Sequence, residues 1–126
     1  MDTAVLYGAS LVVFMHGLIH LMGFATYWQL AEINELPYKT SLLSGGWEVG
    51  EKGIRLFGLL WLMVTVGYAI AAYGLVTEQS WWEVALAGVT VFSLVLTVLD
   101  YDVAYAGVAV NLVILALMVI VPLVSS

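Results

Sequence analysis

Between Asp2 and Glu32 the chain carries no Asp, Glu, Lys or Arg, and the run is long and apolar enough to cross a bilayer as a helix. Backbone passing through hydrocarbon must satisfy its own N–H and C=O groups, which an α-helix does within the segment. Three further apolar runs follow, each ended by charge or turn residues. These interruptions predict spans at 4–31, 54–76, 82–99 and 103–124, with one long loop at 32–53. The expected fold class is all-α: an integral membrane four-helix antiparallel bundle, a single transmembrane domain over 1–126.

Composition agrees with that reading. The 126 residues are 63% hydrophobic and 10% charged, with a mean hydropathy of +1.07, far from the polar surface that a soluble domain of this size needs. Four spans use nearly all of the length and leave no room for a separate soluble catalytic domain. The first span has no basic segment before it and runs too long for a secretory signal, so a retained helix is expected. Cysteine is absent, which removes disulfides, thiol nucleophiles and thiolate metal sites together. The net charge is −6, and Lys39, Lys52 and Arg55 are the only basic residues. Nucleic acid is therefore not an expected partner, the lipid bilayer is, and the acidic balance suits a proteome adapted to high salt.

The three basic residues also set the expected orientation, because Lys and Arg concentrate on the cytoplasmic side. All lie in or beside the 32–53 loop. That loop and the turn at 100–102 are expected inside, with both termini outside, in a multi-pass protein of the cell (cytoplasmic) membrane. Within the loop, Asn34, Pro37, Ser44 and Gly45-Gly46 read as turn and cap residues. The Gly pair is no phosphate loop, since no Lys-Ser/Thr pair follows it. Arg55, near the start of span two, is placed to pair with Asp100 or Asp102 and fix the cytoplasmic ends.

Polar residues inside the spans fall on stripes. His16, His20, Gly23 and Tyr27 share one face of the first span, with Gly17 beside it, and small residues there allow close approach of a neighbour. Thr90, Ser93, Thr97 and Asp100 lay a hydroxyl track along the third, ending at a carboxylate. Asn111 lies one turn beyond Gly107 on the fourth. Buried polar groups without partners cost roughly 1–3 kcal/mol each, so the stripes are expected to turn toward one another. The predicted polar interior or ligand-binding set is thus His16, His20, Tyr27, Ser93, Thr97 and Asn111.

The runs His16-Gly17-Leu18-Ile19-His20-Leu21-Met22-Gly23-Phe24 and Gly58-Leu59-Leu60-Trp61-Leu62, with Ser93, Asp102, Gly107 and Asn111, give the chain a resemblance to a known family. It resembles small four-span prokaryotic membrane proteins with an N-terminal HGxxHxxGF motif, loosely described as ABC transporter permease-like. The likeness implies the topology and singles out these residues; it implies no reaction. The acidic residue of the third turn, Asp102, stands one position earlier here than in the family pattern.

Three functions fit these features. The leading expectation is a non-enzymatic membrane protein that binds a small molecule or lipid-like ligand around the His pair, or is a transport-associated component. No nucleophile elbow, zinc-protease or dinucleotide motif points to catalysis. The second is a redox, metal- or haem-binding protein, with a cofactor of unknown identity. As metal ligands His16 and His20 are half of a site at most, and one turn apart on one helix they cannot supply both axial ligands of a haem. The third is a structural subunit of a larger membrane complex or a homo-oligomer, the histidines serving as interhelical glue.

Overall fold

The computed structural model describes the chain from Asp2 to Ser125, with side chains through Pro122. Its helices are α1 (Thr3–Ile19) and α2 (Leu21–Tyr27), then α3 (Gly50–Val76), α4 (Trp82–Leu99) and α5 (Tyr101–Ser125). α1 and α2 follow one another through His20, which keeps helical backbone angles, so together they form the first long apolar element. All four elements are long and apolar enough to cross a membrane. The fold is an all-α bundle, as expected.

The helix ends differ from the sequence boundaries for local reasons. α2 stops at Tyr27 because Gln29 takes a left-handed backbone (φ 55°) and turns the Leu30 N–H back to the Ala25 carbonyl at 2.8 Å. α3 stops in the same way at Glu78 (φ 54°), with the Gln79 N–H on the Gly74 carbonyl. α3 also begins earlier than expected, at Gly50. Between α2 and α3 the chain adds a short hairpin that periodicity does not predict, β1 (Ser41–Leu42) antiparallel to β2 (Trp47–Glu48), with Leu42 opposite Trp47. Its turn uses left-handed backbone at Leu43, Ser44 and Gly45. α4 reverses directly into α5 at Asp100, and Ala104 leaves helical geometry (φ −108°, ψ 23°), kinking the first turn of α5.

Packing runs as an arc. α1 and α2 lie on α3, α3 lies on α4, and α4 lies on α5. Close approach to α3 depends on glycine: a Cβ at Gly17 would stand 2.5 Å from Tyr68 Cβ, and one at Gly23 the same distance from Trp61 Cδ2. Gly67 and Gly74 are likewise filled from within the chain, by Val89 and Trp81. The core is the α3 face of Ile54, Phe57, Trp61, Val64, Tyr68, Ala71 and Leu75, met by Tyr27 and Leu96. The two ends of the arc, α1 and α5, pack little against each other, and α5 is the least covered of the four spans.

Candidate functional site

The site is assembled from His20 outward. Its Nδ1 lies 2.8 Å from the His16 carbonyl, the acceptor that an unbroken helix reserves for the His20 N–H. The displaced N–H bonds the Gly17 carbonyl at 3.0 Å instead, which tightens the turn and separates α1 from α2. Thr65 of α3 donates to that same Gly17 carbonyl at 2.9 Å. A carbonyl only accepts, so Nδ1 of His20 carries the proton. His20 Nε2 sits 2.6 Å from Ser93 Oγ. Among the described residues no carboxylate bonds this ring, and a buried imidazolium would be an unpaired charge; the ring is neutral and Ser93 donates to Nε2.

The rest of the network follows from that proton. Having donated, Ser93 Oγ accepts, so the Asn111 atom 2.9 Å away is the amide nitrogen, which also reaches Thr97 Oγ1 at 3.3 Å. Thr97 in turn donates to the Leu94 carbonyl. The Asn111 oxygen then faces His16 Nε2 at 3.0 Å and the Tyr68 hydroxyl at 3.1 Å, and both donate to it. Tyr68 has spent its one proton, so the Thr90 hydroxyl at 3.1 Å donates to Tyr68. Every bond has one donor and one acceptor. In the neutral ring, His16 Nε2 carries the one proton, and its Nδ1 is left with a lone pair that no described group donates to.

Ring contacts hold the two imidazoles in place. They meet edge to face with centroids 4.9 Å apart, His16 against Tyr68 and His20 between Trp61 and Tyr68. A partly open cleft of about 240 Å³ lies alongside, between α1/α2 and α5. His16, His20, Trp61, Thr97 and Gly107 line it with Ile19, Met22, Leu36, Val103 and Ala106, and Glu35 is its one acidic residue. The indole N–H of Trp61 is buried without a partner. A larger hollow of about 710 Å³, lined by Thr26, Gln29, Glu32, Asn34 and Tyr38 among others, includes neither histidine.

The expected set divides in two. His16, His20, Ser93, Thr97 and Asn111 come together as one network. Tyr27 does not join them. Its hydroxyl donates to Asp100, at the α4–α5 turn, and Asp100 is also held by Lys39 at 2.6 Å. Lys39 reaches Asp102 as well, at 3.1 Å. The expected pairing of Arg55 with Asp100 and Asp102 is thus replaced by Lys39. Arg55 instead faces Trp28, whose ring its guanidinium overlies at 4.4 Å while the Trp28 N–H bonds the Arg55 carbonyl. The hairpin brings Lys39 back to the α4–α5 turn, where the Leu43 N–H also bonds the Leu99 carbonyl at 2.8 Å. Burial works against the Lys39 charge, but hydrogen bonds and attraction from Asp100 and Asp102 outweigh it and hold the ammonium above its usual range.

The hydroxyl track does not run on to its carboxylate, because the Thr97 proton goes to Leu94 and, among the described residues, none of these hydroxyls bonds Asp100. Neither do the histidines form a chelating pair: both nitrogens of His20 are engaged, and among the described residues no cluster of three His, Cys, Asp or Glu includes them. Sequence reasoning missed Tyr68, Trp61 and Thr65 as members of the site. Their signal was present, since Trp61, Thr65, Tyr68 and Ala72 repeat the four-three-four step of the His16 stripe.

Fold and site together define an all-α bundle of four membrane-length helices around a closed polar network with one open acceptor. Compared with models of known protein families, with curated proteins and with solved structures, the chain gives no match.

Proposed function

We propose that this chain is a non-enzymatic, multi-pass protein of the cytoplasmic membrane that holds a small lipid-soluble molecule in the cleft between α1/α2 and α5, as a binding or transport-associated component. One observation carries the reading: His16 lines an apolar cleft with one ring nitrogen committed to Asn111 and the other uncommitted. Packing supports it, since the arc is loosest where the cleft lies, which gives a molecule dissolved in the bilayer a lateral way in. Both termini outside and the 32–53 loop inside remain part of the proposal, resting on Lys39, Lys52 and Arg55. So does the kinship with the permease-like family.

Extraction and mass spectrometry of protein purified in its native lipids test the reading, with Ala106→Phe as the cleft-filling comparison. Ala106 is exposed at the cleft wall and takes no part in the network. A species that accompanies the unaltered protein near one per chain and falls severalfold in Ala106→Phe supports the proposal. Identical extracts, or only bulk lipid in both, overturn it.

A further inference from the structure

The two histidines are chemically unequal, and the inequality says what the cleft can recognise. We propose that it selects a neutral, hydroxyl-bearing amphiphile whose O–H is donated to His16 Nδ1; this rests on the cleft being a ligand site. The acceptor is set by the chain of protons that starts at the His16 carbonyl and passes through His20, Ser93 and Asn111. Each link leaves the next atom one role, and the last leaves His16 with a lone pair on Nδ1.

Three further features narrow the class. No lysine or arginine lines the cleft and its one formally charged residue is Glu35, so a carboxylate or phosphate head would meet repulsion and no counter-charge. Glu35 is the one counter-charge an ammonium head would find, and it is exposed, so a cation donating to His16 Nδ1 among Ile19, Val103 and Ala106 is costlier to bury than a hydroxyl. At the roughly 30 Å³ that a water occupies in the liquid, about 240 Å³ accommodates a small head and the first part of a tail. The remainder of the tail lies in the bilayer.

Because the chain has no cysteine, Ala106→Cys provides a single reactive thiol at the cleft wall. The experiment measures its alkylation by a membrane-soluble maleimide in lipid nanodiscs, against 1-decanol, decyl methyl ether, decanoate and decylamine. Decanol is expected to protect the thiol at a concentration at least tenfold lower than the ether, which accepts a hydrogen bond but cannot donate one. Decanoate and decylamine should protect less than decanol. Adding His16→Leu should bring decanol and ether together while leaving their common tail-driven protection. Equal protection by decanol and ether in Ala106→Cys alone overturns the hydroxyl assignment and leaves the cleft reading standing. Protection by none of the four overturns both. Should His16→Leu disturb folding, the alcohol–ether comparison in the single variant still decides.

Discussion

His16 and His20 stand one turn apart on the same stripe, yet their loss is expected to have different consequences. His20 has both nitrogens in use, and replacing it with Leu leaves the proton of the fully buried Ser93 hydroxyl without its acceptor, although Ser93 Oγ still accepts from Asn111. His20→Leu should lower stability by about 1–3 kcal/mol, the range for a buried polar group left without its partner. His16→Leu removes one bond to an Asn111 oxygen that Tyr68 still serves. Its cost should be about 1 kcal/mol or less, as for single hydrogen bonds between membrane helices. Reversible unfolding in mixed micelles reads the two values, and equal losses would contradict the division of roles drawn here. The stripe of His16, His20, Ser93 and Asn111 was legible from spacing alone, because helical period decides which side chains share a face. The division between the histidines was not. It depends on which nitrogen faces a carbonyl and which a hydroxyl, and those distances are set across helices, where a one-dimensional period carries no information.

At the scale of the elements, the hairpin is held to the α4–α5 turn by Lys39 and by the Leu43 N–H. Asp100 is fully buried, so Lys39→Met leaves a carboxylate without its cation; Lys39 itself is 20% exposed, which moderates the effect to about 2 kcal/mol, below that of a wholly buried pair. Hydrogen exchange at the Leu43 amide should accelerate in that variant while the α3 core stays protected. The sign of the pH dependence follows from the raised Lys39 pKa. Its contribution is complete below the unfolded-chain value of about 10.4 and fades as the pH climbs through the higher folded value, so the hairpin should release only in strong alkali. Release on passing from pH 7 to 9 would be incompatible with this ion pair. Glu78 offers a separate test, since an L-residue closes α3 in left-handed backbone. Glu78→Gly should raise stability by about 0.5–1 kcal/mol in the same unfolding assay. Helix positions were readable from hydropathy because the solvent dictates them; the α4 limits coincide with those expected, 82–99. The hairpin was hidden because two-residue strands have no measurable period, and with it went the true partner of Asp100.

Across the whole molecule, one side chain ties the middle of α5 to the three other spans. Asn111, on α5, is fully buried and bonds His16 of α1, Tyr68 of α3, and Ser93 and Thr97 of α4. Apart from the Lys39–Asp102 ion pair in its first turn, α5 otherwise leans on α4, where Gly107 sits against Thr97, and its far half is largely exposed. Asn111→Leu keeps the branching and the number of heavy atoms and removes every one of those bonds, so the cleft side of α5 has only van der Waals contact to hold it. Spin labels at Tyr7→Cys and Val113→Cys, both exposed and on the two ends of the arc, report the separation of α1 and α5 without competing thiols. In the background that keeps Asn111, the distance distribution should be narrow. In Asn111→Leu it should broaden toward longer distances, while a matched pair at Tyr7→Cys and Ile70→Cys, spanning the tightly packed α1 and α3, stays narrow. If the α1–α5 distribution were unchanged, α4 alone would hold α5, and the width of the cleft would not depend on the network that borders it.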